Sequence, residues 1–144
     1  MSITKILVRV LVGMVGATML ATVSSPSATA ATPRNGVCEA GEFCLYFLPN
    51  RGGSVSDFTT SVPNYGTSQP TCYEFRTPGL AGYQQCIKNN AESAWNRTST
   101  AVRVYFNSNY CGPSDLVSAN SARNLDVTFD DNASHKFAPF PPAC

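Results

Sequence analysis

A nine-residue run that occurs twice constrains this chain more than any other feature. Val104-Tyr105-Phe106-Asn107-Ser108-Asn109-Tyr110-Cys111-Gly112 repeats, in worn form, Leu45-Tyr46-Phe47-Leu48-Pro49-Asn50-Arg51-Gly52-Gly53. In both runs a Tyr-Phe pair follows an apolar residue, an Asn stands three positions after the Phe, and a Gly stands six positions after it. An acid comes next, Asp57 in the first copy and Asp115 in the second. Tyr46 and Tyr105 are 59 positions apart, too long a period for a solenoid unit and suited to a duplicated motif of four short strands. The chain therefore reads as one domain, residues 31–144, made of two related halves (about 37–96 and 97–138) and a Pro-rich C-terminal tail.

Local patterning gives the fold class. Residues 43–48 place Phe43, Leu45 and Phe47 on one face, and residues 101–106 do the same with Val102, Val104 and Phe106; this period of two belongs to half-buried strands. Residues 71–75, 83–87 and 125–129 are briefer strand candidates, 54–65 reads as weak strand and turn, and 91–95 as a single helical turn. No window sustains a 3.6-residue apolar period, and turn residues recur at short spacing, which predicts an all-β Greek-key sandwich. Residues 137–143 cannot form an interior strand, because Pro139, Pro141 and Pro142 lack the N–H donor. They are expected as an extended tail tied down by Cys144.

Residues 1–30 read as a signal peptide, with Lys5 and Arg9, an apolar stretch over 10–23, and Ala28-Thr29-Ala30 as the cleavage signature. The apolar stretch is shorter than the roughly 20 residues a membrane span needs. Taking Lys5 and Arg9 from the 10 basic residues leaves 8 against 9 acidic ones, a balance that argues against nucleic acid or an anionic membrane as partner. The six cysteines, at 38, 44, 72, 86, 111 and 144, all follow the leader. An even count in a small exported domain reads as a disulfide set, whereas zinc is disfavoured by the lack of Cys-x-x-Cys and by the single histidine, His135. The short loop around Gly41 points to Cys38–Cys44. Cys72–Cys86 and, by elimination, Cys111–Cys144 complete one of several possible connectivities. A secreted monomer follows.

Two polar motifs sit at matching places, Asn89-Asn90-Ala91-Glu92-Ser93 and Asp130-Asp131-Asn132-Ala133-Ser134. Asn89, Asn90, Ser93, Asp130, Asp131 and Ser134 supply hard oxygen donors suited to calcium, and equally the turn-forming side chains of an ordinary loop. Tandem halves with a Tyr-Phe strand, a later Gly and an Asn/Asp loop ending in Ser resemble the βγ-crystallin double Greek key. Within that superfold the chain resembles the secreted Streptomyces-type metalloproteinase inhibitors, peptidase inhibitor family I36. The resemblance is carried by Cys38-x-Ala40-Gly41-x-x-Cys44-Leu45-Tyr46, Asn89-Asn90-Ala91 with Ser93, residues 102–110, Asn124-Leu125 and Ala133-Ser134-His135-Lys136-Phe137. It implies a βγ-crystallin-like sandwich stapled by disulfides, no enzymatic activity, no required cofactor, and a secreted or extracellular peptidase as partner. Ala94 and His135 stand where calcium-binding crystallin loops usually have a second Ser, so calcium is an option and not an implication.

Comparing the halves locates the extra material. Asp57 to Asn90 spans 33 positions and Asp115 to Asp131 spans 16, an insert of about 17 in the first half. A Cys72–Cys86 bridge would close a loop of about fifteen residues, worth roughly 3 kcal/mol on the chain-entropy view, and would pre-order the loop for a peptidase cleft. By the resemblance, Cys72 and Tyr73 would flank the inhibitory bond, with Glu74, Phe75 and Leu80 beside it. The family's next cysteine comes after about five residues, but here after fourteen. The alternative is an extracellular calcium-binding or structural βγ-crystallin-like module that does not inhibit. His135, alone beside Lys136, is expected at the surface or in a cap, and Trp95 in the core or at the junction of the halves.

Overall fold

The computed structural model describes residues 30–144; the leader assigned above lies outside them except for Ala30. Seven strands form two antiparallel sheets. The first half supplies β1 (Phe43–Leu48), β2 (Gly52–Phe58) and β3 (Ser93–Asn96); the second supplies β4 (Val102–Asn107), β5 (Cys111–Val117), β6 (Ser121–Asn124) and β7 (Ser134–Phe137). One sheet has the order β2-β1-β3-β6 and the other β5-β4-β7. Since β6 pairs with β3 and not with its own half, each half lends its third strand position to the other sheet. Residues 61–65 make the return gesture. Val62 and His135 exchange two backbone hydrogen bonds of 3.0 Å, and Tyr65 N donates to Ala133 O (3.0 Å), a pairing that stays an isolated bridge.

The repeated run forms matching hairpins. Both ladders shift register at the same place, between Tyr46 and Leu48 and between Tyr105 and Asn107. Both turns are short 3-10 segments, Pro49–Arg51 and Ser108–Tyr110, with a left-handed Asn inside: Asn50 at φ 56° and Asn109 at φ 60°. Gly53 and Gly112 follow at φ 71° and 79°. Asn and Gly tolerate that region best, which accounts for the Asn-x-x-Gly spacing. One detail of the repeat does not hold. Tyr46 faces Val55 and Tyr105 faces Ser114, so Asp115, opposite Val104, corresponds to Ser56, opposite Leu45. Asp57 corresponds to the exposed Leu116, one position on and hence on the other face of the sheet.

The two serines close the pattern. Ser93 Oγ donates to Leu48 O (2.7 Å) and accepts from Arg51 N (2.9 Å); Ser134 Oγ donates to Asn107 O (2.7 Å) and accepts from Tyr110 N (3.1 Å). Between the halves, Asn89 N reaches Asn132 O (2.9 Å) and Asp130 N reaches Ala91 O (3.1 Å), a reciprocal pair that expresses an approximate two-fold relation. Ser93 and Ser134 are 41 positions apart and the tyrosines 59, so the first half is longer by 18, the difference of the two. The core lies between the sheets, with Phe43, Leu45, Phe58, Ala94, Val102, Val104 and Val117 joined by Tyr65, Phe75, Ile87 and Leu125 from the connections.

Three disulfides join Cys38 to Cys44, Cys72 to Cys86 and Cys111 to Cys144. The expected strands over 71–75 and 83–87 reduce to a bridge between Glu74 and Cys86. The expected helical turn at 91–95 is instead the start of β3, drawn extended by pairing with Phe43–Tyr46. Residues 125–129 form a turn, and the neighbouring strand is the polar edge strand β6.

Candidate functional site

The extra residues of the first half fold back along β2, the edge of its sheet. Arg76 N donates to Val55 O (2.8 Å), Ser54 N to Ala81 O (2.8 Å), and Thr77 N to Ser54 Oγ (2.8 Å). The insert thus satisfies backbone groups that an edge strand would otherwise present to other chains. Inside it, Phe75 N donates to Gln85 O (3.0 Å), Gln84 N to Phe75 O (2.9 Å), and Ile87 N to Tyr73 O (2.8 Å). These bonds and the Cys72–Cys86 bridge make an irregular hairpin whose tip is residues 78–81. Gly82, at φ 85°, fits where any Cβ would run into the Phe47 ring, 2.2 Å away.

The residues singled out by sequence divide into two groups. Cys72 and Phe75 are buried. Phe75 belongs to the main core and meets Phe47 edge-on at 5.6 Å between ring centres, so its side chain serves folding and is not presented to a partner. Tyr73 is partly exposed, but its N–H is held by Tyr65 O (2.7 Å) and its carbonyl by Ile87 N; a peptidase strand cannot pair there without breaking both bonds. Glu74 is half-buried and its side chain is taken by Gln69 and Arg76. Leu80 is 49% exposed. Across Gly53, whose hydrogen side touches both Ala81 O and Leu48, lies the partly exposed Leu48 of the β1 end. Leu48 was not expected at the site, whereas the turn at the tip is what Pro78, Gly79 and Gly82 indicate in the sequence.

The six oxygen-donor residues come together only in part. The Asn89 and Asp130 loops touch through their backbones, with Asn89 at φ 59° and Asp130 at φ 53°. The hydroxyls of Ser93 and Ser134 are turned into the hairpins and already have two partners each. Asn90 Nδ2 caps Cys86 O (3.0 Å) and Lys88 O (3.1 Å). Burial, and then the neighbouring Asp131, raise the Asp130 carboxyl above the usual range. Among the described residues no group of three or more His, Cys, Asp or Glu side chains could hold a metal ion.

His135 is not at the surface. It is fully buried against Phe43, Phe58 and Phe137. Its Nε2 lies 2.9 Å from Thr60 O, which can only accept, so Nε2 carries the proton and Nδ1 accepts from Tyr65 OH at 2.9 Å. Burial drives its pKa down to about 3, leaving a neutral ring held between Thr60 O and Tyr65 OH. Trp95 is half-buried on the outer face of the sheet, between the guanidinium groups of Arg51 (4.7 Å) and Arg97 (4.5 Å). Its counterpart by the 41-position offset, Lys136, lies 5.8 Å over the ring of Tyr110, the counterpart of Arg51. The cation and the ring have exchanged places between the halves.

Comparison with known proteins bears on the family and the fold. The family model described as Peptidase inhibitor family I36 matches residues 31–117. A solved structure bearing on the evolution of the eye lens βγ-crystallin domain fold superposes with a TM-score of 0.51 at 16% identity, over 79% of this chain and 96% of that one. A βγ-crystallin from Ciona intestinalis gives 0.48 at 16% identity, over 67% and 99%. At 16% identity the first of these speaks for the fold alone, which is the βγ-crystallin fold. No curated protein sequence matches this chain.

Proposed function

This chain belongs to peptidase inhibitor family I36, and from that premise we propose that it is a secreted inhibitor of metallopeptidases that engages its target through the tip of the first-half insert. The observation that carries the reading is Leu80, a large apolar side chain left in solvent at 49% exposure on a tip whose base is held on every side. The disulfide, the hydrogen bonds to Ser54 and Val55, and Gly82 against Phe47 fix residues 72–86 before any encounter. A pre-ordered tip loses little conformational entropy on entering a cleft, where each immobilised side chain otherwise costs about 0.5–1.5 kcal/mol. In this reading Leu80 fills the apolar pocket next to the catalytic centre and Leu48 widens the contact. The tip here takes the place that the resemblance assigns to the Cys72–Tyr73 bond, whose N–H is already held by Tyr65 O. Secretion fits the three bridges, which persist in oxidising surroundings, and residues 1–30 would be the leader that directs it. The partner is an extracellular peptidase, met by a single copy of the chain.

Titrating the oxidised mature protein into a panel of metallo-, serine and cysteine peptidases tests the proposal. Inhibition of a thermolysin-like enzyme at micromolar concentration or below is expected. Inhibition of only another class would remove the metallopeptidase assignment, and inhibition of none would remove the function.

A further inference from the structure

The segment ahead of the first disulfide is folded onto the insert. Asp57, fully buried on β2, accepts hydrogen bonds from Asn35 N (2.9 Å) and Gly36 N (2.8 Å). That fixes Arg34, whose guanidinium lies against two neighbouring rings, 4.8 Å from the centre of Phe58 and 5.3 Å from that of Tyr73. It donates to Ser56 Oγ and to the carbonyl of Glu74 (2.7 Å), and Ser56 Oγ donates to the same carbonyl at 2.9 Å. One residue group further on, Thr77 Oγ1 donates to Gly36 O (2.7 Å), and Gly36 stands so close that a Cβ there would be 2.8 Å from Arg76 O. Residues 34–36 therefore touch the insert at Glu74, Arg76 and Thr77, and reach the sheet at Ser56 and Asp57.

The second half shows what this arrangement replaces. There, Asp115, at the position of Ser56, accepts from Asp126 N (3.0 Å), Thr128 N (2.9 Å) and Thr128 Oγ1 (2.7 Å), and its other oxygen pairs with Arg123 at 3.1 Å. An acid and an arginine of the same half fasten the short connection. In the first half Ser56 bonds the connection at Glu74 O, the acid has moved to Asp57, where it holds Asn35 and Gly36, and the arginine comes from outside the repeat.

We infer that Arg34 is a positioning residue for inhibition: by clamping Glu74 and Tyr73 to β2 it holds the insert in the geometry that presents Leu80. This rests on the proposed inhibitory role of the tip, but the clamp itself is measurable without any peptidase. The ligand of the clamp is the chain's own insert, and what it sets is how rigidly the tip is offered.

The test is hydrogen exchange on the oxidised mature protein and its Arg34→Met and Arg34→Lys variants, read beside inhibition of the panel peptidase. Met keeps the aliphatic stem and loses the charged donors. Exchange at the amides of Phe75, Arg76, Gln84 and Ser54 should accelerate at least tenfold in Arg34→Met, with the amides of the β4–β5 ladder unchanged, and the inhibition constant should rise about tenfold. Arg34→Lys, which retains a cation beside the rings, should recover part of both. Unchanged exchange in the insert overturns the inference, as does acceleration spread equally over β4 and β5, which would make Arg34 a general stability element. If Arg34→Met does not fold, the Lys variant decides on the same amides. If the wild-type chain inhibits nothing, the functional proposal fails while the exchange data still decide whether the clamp exists.

Discussion

The two connections that run from the second strand of each half to its closing serine begin and end alike but do opposite work between. The second, residues 118–133, is short, is fastened by Asp115 and Arg123, and leaves Phe106 of the hairpin 40% exposed. The first, residues 59–92, carries the insert, covers Phe47 (the counterpart of Phe106) with Phe75 and Gly82, and still sends Leu80 into solvent. The added residues are therefore not a loose appendage. They are built into the core through Phe75, and their tip keeps Leu80 in solvent.

The largest effect should come from breaking that integration. Phe75→Ala removes a fully buried ring and should cost about 3–5 kcal/mol in denaturant unfolding. Phe106→Ala, at the exposed counterpart of Phe47, should cost less than about 1 kcal/mol. Equal costs would show that the insert contributes no core.

A smaller effect, in pH, separates the halves through His135. Its folded pKa, about 3, lies below the ordinary 6.5. The unfolded chain therefore binds the extra proton first, and the stability from keeping the ring neutral is complete above about pH 6.5 and is lost as pH falls toward 3. The loss is of order a few kcal/mol. Glu42, Glu92 and Asp130, whose carboxyls burial raises, act with the opposite sign, so the comparison is with His135→Gln. Chemical denaturation across that window should show a shallower decline for the variant. Parallel curves would mean that His135 does not titrate on unfolding.

The smallest effect tests the symmetry. Ser93→Ala and Ser134→Ala each remove a hydroxyl with one donated and one accepted bond. Each should cost about 1–3 kcal/mol, and the two should agree within about 1 kcal/mol. A large cost at one site only would break the equivalence of the hairpins.

What could be read from the sequence follows from how local each cause is. Asn50, Gly53, Asn109 and Gly112 announce their hairpins because a left-handed backbone restricts the residue that adopts it. Ser121-Ala122-Arg123-Asn124 hides β6, since an edge strand with solvent on one side needs no alternation. His135 looked like a surface residue because its company, Phe43, Phe58 and Tyr65, arrives from positions 70 to 92 residues away in sequence. Asp57 and Asp115 looked equivalent because one residue of slip is invisible in a list of letters, yet it turns the side chain to the other face. The insert was found by length alone. Its attachment to Ser54, Val55 and Arg34 was not, because each bond joins residues far apart in sequence, 40 positions for Arg34 and Glu74 and 23 for Ser54 and Thr77, that only the fold brings together.

The central claim is that the tip of the insert, and not its base, meets the peptidase. Leu80→Asp measures it most directly, because Leu80 lies outside the core and the change places a charge where an apolar pocket would receive the side chain. The expected result is an inhibition constant raised at least a hundredfold against the thermolysin-like enzyme, with the thermal midpoint unchanged. Inhibition equal to that of the unaltered chain would contradict the account.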